Sequence, residues 1–323
     1  LIPRRRPLAS WHERKSRFTS LDEWINYWQH GADALRASQG GVITVFPQLA
    51  AVVGFQRQIL RKHQGPVVAW LFNIGTCRDG IPRQISQFSL RQIDRFVVHT
   101  RRERYLYSQW LNLPLEKFEF VPYQVPPIPV TYAEETNRPF IAALGSAHRD
   151  FGTLFAALDP LKLPAVVASG PRALEGLKIP ASVQTPFGVS KADCLRLAQQ
   201  ARINVVPLLP HERVTAAGQV TIVETMRMGR ALIATRGTGA EDYIVHGETG
   251  LLVNPHSPAA LSAAIQQLWD DEALRTRIGQ NAMRYAETHF SDEAAGQALG
   301  RLLDSVEQSY SGNRQLAQLE AVR

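Results

Sequence analysis

Thr215-Ala216-Ala217-Gly218-Gln219-Val220-Thr221-Ile222-Val223-Glu224-Thr225-Met226-Arg227-Met228-Gly229 runs directly into Arg230-Ala231-Leu232-Ile233-Ala234-Thr235. Small residues and Gly218 permit close backbone approach, and a helix is expected to begin near Gln219 and end at Gly229. The segment that follows is apolar from Ala231 to Ala234, as suits a strand covered on both faces. Ile203-Asn204-Val205-Val206-Pro207-Leu208 precedes the helix with the same character. Strand, helix and strand in this order form a βαβ unit, which implies a parallel sheet.

The same rhythm extends to both sides. Strands are expected at 42–46, 67–72, 96–98 and 118–121, with helices at 22–38, 48–63, 82–92 and 101–112. Pro122, Pro126, Pro127 and Pro129, and then a polar stretch to Pro139, interrupt the pattern, and an interdomain linker is expected at 124–138. The rhythm restarts with strands at 140–145, 165–168, 183–185, 203–208, 231–235 and 250–253, and helices at 151–158, 190–200, 219–228, 258–269 and 271–289. The expected fold class is α/β: two Rossmann-like αβα domains, 1–123 and 139–290, facing across a crevice that would hold the ligand. Residues 291–310 read as a last helix crossing back to the first domain, with Leu299, Leu302, Leu303 and Val306 on one face, and 311–323 as a polar tail. Residues 1–20 are basic and weakly periodic, so the N-terminal sheet is expected to be incomplete.

Composition narrows the classes. The chain has 323 residues, 45% hydrophobic and 20% charged, without a long charge block, which excludes a disordered chain. No run approaches the roughly 18 apolar residues of a membrane helix. Cys77 and Cys194 match no disulfide or metal spacing, and the nine histidines form no ligand cluster, so no metal is expected. A reducing cytoplasm suits this cysteine usage. The net charge of +7 is unevenly placed: residues 1–136 hold 18 Lys/Arg against 11 Asp/Glu, much of the excess being Arg4, Arg5, Arg6, Arg14, Lys15 and Arg17. Such a bias suits an anionic membrane surface or a phosphorylated substrate. No nucleic-acid module accompanies it.

The helix opening at Gly218, Gln219 and Val220 carries the chemistry. A helix start offers unpaired N–H groups and a favourable dipole to an anion, so a diphosphate fits there. Glu224, five residues into the helix, can accept both hydrogen bonds of a ribose cis-diol.

Taken with Gly237-Thr238-Gly239-Ala240-Glu241 and Gly247-Glu248-Thr249-Gly250-Leu251-Leu252-Val253, the run from 218 to 258 resembles the donor-binding core of the GT-B-fold glycosyltransferases of family 4. The resemblance extends over roughly residues 40–300. It implies transfer of a sugar from a nucleoside diphosphate sugar, a UDP-sugar being favoured, to a glycan or lipid-linked acceptor, with retention and without a metal or other cofactor. It implies that Glu224 holds the ribose, that Arg149 meets the diphosphate, and that Gly145 lets its loop pass below the donor. Three positions depart from the family pattern: Ala216 where many members carry a second Glu, Ser146 where an arginine often stands, and Trp70-Leu71-Phe72-Asn73 where a histidine is frequent. Gln219 is therefore expected to bind the sugar through its amide or backbone, Asn73 to donate to a sugar hydroxyl, and His99 to position the acceptor or assist proton transfer. His148 and the loop His211-Glu212-Arg213 are expected beside the donor, and Gly170-Pro171 with Phe187-Gly188 at the edge of the base pocket. The alternatives are a nucleotide-sugar epimerase or sugar phosphorylase of the same shape, or a degenerate nucleotide-binding partner subunit. The expected location is the cytoplasm, and the implied acceptor class with the basic first domain favours a peripheral position on the cytoplasmic face of the inner membrane, for exopolysaccharide or cell-envelope glycan synthesis.

Overall fold

The computed structural model describes residue 2 and residues 19–38, 40–60 and 65–321, with side chains as far as residue 310. Arg4, Arg5, Arg6, Arg14, Lys15 and Arg17 lie outside the described residues. The chain divides into two compact units, Leu1–Val121 with Ala298–Arg323, and Pro122–Gln297.

In the first unit α1 (Leu21–Ala37) precedes β1 (Val42–Val45), α2 (Pro47–Leu60), β2 (Val67–Trp70), α3 (Ile81–Leu90), β3 (Arg95–Val98), α4 (Arg101–Leu111) and β4 (Phe118–Phe120). Helix α1 starts on a capping box in which Ser20 Oγ accepts from Glu23 N at 3.3 Å and Glu23 Oε2 accepts from Ser20 N at 2.8 Å. The four strands are parallel and lie in the order β1-β2-β3-β4. Every crossover therefore steps the same way, and right-handed connections put α2, α3 and α4 on one face. Val42, Val67, Ala69, Phe96, Val98 and Phe118 fill the core beneath them.

The second unit holds β5 (Ile141–Leu144), α5 (Phe151–Leu161), β6 (Ala165–Ala168), β7 (Val183–Gln184), α6 (Lys191–Gln200), β8 (Ile203–Val206), α7 (Gln219–Arg227), β9 (Leu232–Thr235), β10 (Leu251–Val253), α8 (Pro258–Asp270) and α9 (Glu272–His289). Its parallel sheet has the order β10-β9-β8-β5-β6-β7. The chain winds outward from β5 through β6 to β7, then returns to the other side of β5 as β8. This reversal puts a topological switch point between β5 and β8, where loops leaving the two strands diverge and leave room for a ligand. Strands β5, β8 and β9 are buried along their whole length.

Helix α10 (Asp292–Ala321) belongs to the second unit as far as Gln297 and to the first from Ala298. It runs through 311–321, which the polar sequence suggested as a tail. The other differences from the expected elements are local. Strand β8 stops at Val206 because Pro207 has no N–H to continue the ladder, and Leu208 instead forms an isolated bridge with Arg149. Helix α5 carries Pro160 inside its last turn instead of ending before it.

Candidate functional site

The loops from β5 and β8 zip together: Asp150 N donates to Pro207 O at 2.9 Å, and Leu209 N donates to His148 O at 3.0 Å. This pairing turns the Arg149 side chain back under the end of β5. Its guanidinium donates from Nε to Leu144 O at 3.2 Å, from Nη1 to Ala147 O at 2.9 Å and from Nη2 to Thr221 Oγ1 at 3.2 Å. All three acceptors are neutral, and no described carboxylate pairs with the group. Burial lowers its pKa to about 10, so it stays a cation at neutral pH, held among dipoles and lacking a counter-ion. Gly145 makes the arrangement possible: its φ is +94°, and a Cβ there would stand 2.9 Å from Arg149 Nη2.

Thr221 belongs to the first turn of α7, which brings the cation to that helix's N-terminus. Gly218 precedes the helix at φ +90°, and a Cβ would lie 2.8 Å from Leu208 Cδ2, so only glycine lets the helix start this close to the sheet. Helices α5, α6, α8 and α9 are capped by the side chains of Asp150, Ser190, Ser257 and Asp271. Helix α7 has no side-chain cap, and the N–H groups of Gln219, Val220 and Thr221 find no acceptor among the described residues. Three open donors and one uncompensated cation thus share the switch point.

Glu224 lies one turn past Thr221, with its side chain 16% exposed. Its Oε1 accepts from Lys191 Nζ at 2.5 Å, where Lys191 opens α6 after the Ser190 cap. The Glu224 charge also helps to raise the pKa of Tyr123, whose main cause is burial, and the same holds for Cys194. The second carboxylate oxygen has no hydrogen bond from the described residues. Gln219 departs from expectation. Its Nε2 donates to Thr238 O at 2.8 Å and the side chain is buried, so the amide staples two loops and only the backbone N–H faces the helix opening. Ser146, which stands where an arginine was anticipated, accepts from Gly170 N at 2.7 Å and ties the β5 loop to the segment after β6. Phe187 is exposed beside Gly188 at φ +67°. His148 sits at φ +52°, and burial, followed by Arg149 and His211, lowers its pKa.

The two residues singled out in the first unit are engaged by their own surroundings. Asn73 Oδ1 accepts from Gly75 N at 2.8 Å, which makes it the anchor of its own turn. His99, at the end of β3, is 4% exposed and its Nδ1 donates to Val121 O at 2.9 Å. Burial lowers its pKa to about 4, so the ring is neutral with its proton on Nδ1. That is a weak base at neutral pH. Among the described residues no group of three or more His, Cys, Asp or Glu could hold a metal ion.

Lys191 and Thr221 were not read as site residues from the sequence. Lys191 could not be, because its partner lies 33 residues away on another helix. Thr221 carried a signal, standing in the first turn of an expected anion-binding helix.

A doubly wound parallel sheet whose switch point keeps one helix start open to an anion is the frame of a nucleotide-binding protein. Comparison with known proteins shows what the second unit is similar to. Residues 172–285 match the family described as Glycosyl transferases group 1. The D-inositol 3-phosphate glycosyltransferase of Corynebacterium glutamicum (strain R) is 40% identical over 84 residues, 26% of this chain and 20% of that protein. The capsular polysaccharide biosynthesis glycosyltransferase CapM of Staphylococcus aureus is 38% identical over 76 residues, 24% of this chain and 20% of its own length. The chain thus matches about a fifth of the length of these curated relatives. Likeness of fold reaches further. Sucrose-phosphate synthase from Thermosynechococcus elongatus superposes with a TM-score of 0.69 at 16% identity, covering 89% of this chain and 79% of that one. HepE from Anabaena, solved in complex with UDP, superposes with a TM-score of 0.67 at 16% identity over 87% and 82%. The chain is a GT-B-fold protein of two Rossmann-like αβα units, related to the group 1 glycosyltransferases through its second unit.

Proposed function

We propose that the protein is a glycosyltransferase that takes its sugar from a nucleoside diphosphate sugar. The observation that carries this reading is Arg149, a half-buried cation with three neutral acceptors beside the uncapped start of α7. A diphosphate supplies the missing negative charge, and its oxygens match the N–H groups of Gln219, Val220 and Thr221. As the glycosidic bond breaks, the leaving diphosphate gains charge, and donors fixed in advance stabilise that change without reorganising. This electrostatic set does the work that a metal clamp does elsewhere. Glu224 holds the ribose, and Gly145 gives the donor's phosphates room beside the loop. The Asn73 amide N–H group offers a donor to the acceptor, and the leaving phosphate takes the acceptor's proton, which suits retention of configuration. The acceptor is a glycan or a lipid-linked glycan, met at the cytoplasmic face of a membrane during exopolysaccharide or envelope synthesis. A UDP-sugar is the favoured donor, in line with the neighbour solved with UDP.

The test is calorimetry on Arg149→Ala with a nucleoside diphosphate and with the free nucleoside. The diphosphate should lose at least tenfold in affinity while the nucleoside loses little. Equal losses, or none, would sink the assignment.

A further inference from the structure

Lys191 stands where helix energetics disfavour a cation. It is the first residue of α6, directly after the Ser190 cap, and the dipole of a helix start favours a carboxylate there. Asp193 supplies that carboxylate and is already engaged. Its N–H donates to Ser190 Oγ at 3.1 Å, its Oδ2 accepts from the same hydroxyl at 2.7 Å, and its Oδ1 accepts from Arg196 Nη2 at 3.0 Å. Lys191 turns away from this cluster and reaches α7, where its Nζ donates to Glu224 Oε1 at 2.5 Å. The pair is lopsided, with the lysine side chain 52% exposed and the glutamate 16%, so the ammonium lies on the open side of the carboxylate. Half-exposed ion pairs add little to stability. Neither the start of α6 nor the fold therefore accounts for a lysine at this position.

What the two side chains leave unfilled is complementary. Glu224 Oε2 accepts no hydrogen bond from the described residues, and Lys191 Nζ, which carries three N–H groups, has Glu224 Oε1 as its one acceptor among them. An idle acceptor beside idle donors fits a group that gives and receives a hydrogen bond at once. A hydroxyl does both, whereas a methylene does neither. We propose that Lys191 determines specificity at the ribose subsite, forming with Glu224 a two-point clamp on one ribose hydroxyl. The O–H of that hydroxyl donates to Glu224 Oε2, and its oxygen accepts from Lys191 Nζ. The lysine thus stays in place when the donor binds, and the second hydroxyl of the diol is left to the carboxylate. A carboxylate alone selects any group that donates, but the pair also demands an acceptor. A sugar lacking the hydroxyl leaves both charges facing a surface that answers neither, which is costly once water is excluded. The inference rests on the reading of Glu224 as the ribose ligand and adds to it the residue that completes the subsite.

The experiment is calorimetry with uridine diphosphate and its 2′,3′-dideoxy analogue on wild type, Lys191→Met and Glu224→Gln. Methionine keeps an unbranched stem without the charge. Removing a cation near an anionic ligand weakens both compounds alike, so the ratio of their affinities isolates the hydroxyl. Lys191→Met should lower the preference for the ribose form about tenfold, the share of one charge-assisted hydrogen bond. In a second arm, the 2′-deoxy and 3′-deoxy compounds are compared singly. The effect of Lys191→Met should appear with one of them and be absent with the other, because one hydroxyl occupies the clamp. An equal split between the two would reduce the lysine to a diffuse positive field and overturn the clamp. A preference that survives in Lys191→Met overturns it too, and one that widens would make the lysine a competitor of the ribose for Glu224. If Glu224→Gln alone loses the preference, the clamp falls and the ribose reading stands. If wild type shows no preference at all, the ribose reading falls and takes the clamp with it.

Discussion

Glu224 meets a cation before it meets any donor. The pair with Lys191 is half exposed on the lysine side, and such pairs contribute about 1 kcal/mol or less. Two hydrogen bonds from a ribose diol to a carboxylate are worth more, about 1.5–3 kcal/mol for charged acceptors, so the diol can share or displace the lysine. Glu224→Gln keeps the volume but turns one acceptor into a donor. Donor affinity should fall roughly 10- to 150-fold, and the preference for a ribonucleotide over its 2′,3′-dideoxy analogue should largely vanish in calorimetry. The melting temperature should move by only a few degrees. Survival of the ribose preference would remove Glu224 from the site. His99 makes a prediction about pH. Its native pKa is lowered to about 4 by burial, against 6.5 for an exposed ring. Between these values the unfolded chain binds the proton and the folded one does not. Stability is therefore fully present above pH 6.5 and is lost as pH falls towards 4, by up to about 3 kcal/mol. Urea denaturation at pH 7.5 and pH 4.5 should show this loss in wild type, and His99→Gln should flatten it. An unchanged slope would mean that another group titrates there.

Among the elements, α7 is set by glycines at both ends. Gly218 permits its start against Leu208, and Gly229 lies where α9 crosses closely. A Cβ on Gly279 of α9 would overlap the carbonyl oxygen of Gly229, whereas one on Gly296 of α10 meets open space. Gly279→Ala should cost about 2–3 kcal/mol by forcing the helices apart, and Gly296→Ala should be neutral or slightly stabilising, by up to about 1 kcal/mol. Thermal melts of both variants decide it, and equal melting temperatures would contradict the close crossing. Within the first unit, α10 buries Leu302 and Val306 and adds one polar tie. Tyr310 Oη accepts from Arg57 Nη2 at 2.5 Å and donates to Asp94 Oδ1 at 3.0 Å, beside the Arg57–Asp94 ion pair. Tyr310→Phe leaves a donor and an acceptor unmatched in a partly buried place, a loss of about 1–2 kcal/mol. Hydrogen exchange should quicken in the last turns of α10 and remain unchanged in α7 and α9. Uniform quickening throughout the chain would show a global effect instead.

For the whole molecule, the alternation of apolar runs and helical patterns was enough to read a parallel α/β fold, because doubly covered strands such as Val67–Trp70 and Ile141–Leu144 are apolar and buried at every position. Periodicity does not report which strands are neighbours, so the switch point between β5 and β8 was not legible in the sequence. The same limit applies at the site. Gly218 and Glu224 share one helix and could be related by spacing, whereas Arg149 with Thr221, separated by 72 residues, and Lys191 with Glu224 are contacts between elements. The side-chain half of the Gln219 expectation fails for a related reason, its carbonyl partner, Thr238, arriving from the loop after β9, while the backbone half stays open.

The first unit is assembled from two separated stretches of chain, with the whole of the second unit encoded between them. On the ribosome, Arg57 and Asp94 emerge early, but Tyr310 follows Asp94 by 216 residues. At about 5–20 residues per second that is a delay of roughly ten to forty seconds. Throughout it, the first sheet must persist without its closing helix. The second unit, continuous in sequence, is complete before the first can be. The usual N-terminal-first order of domain maturation is thus inverted, and a nascent chain stalled before Ala298 would carry a finished second unit and an unfinished first one, the state in which a chaperone has most to act upon.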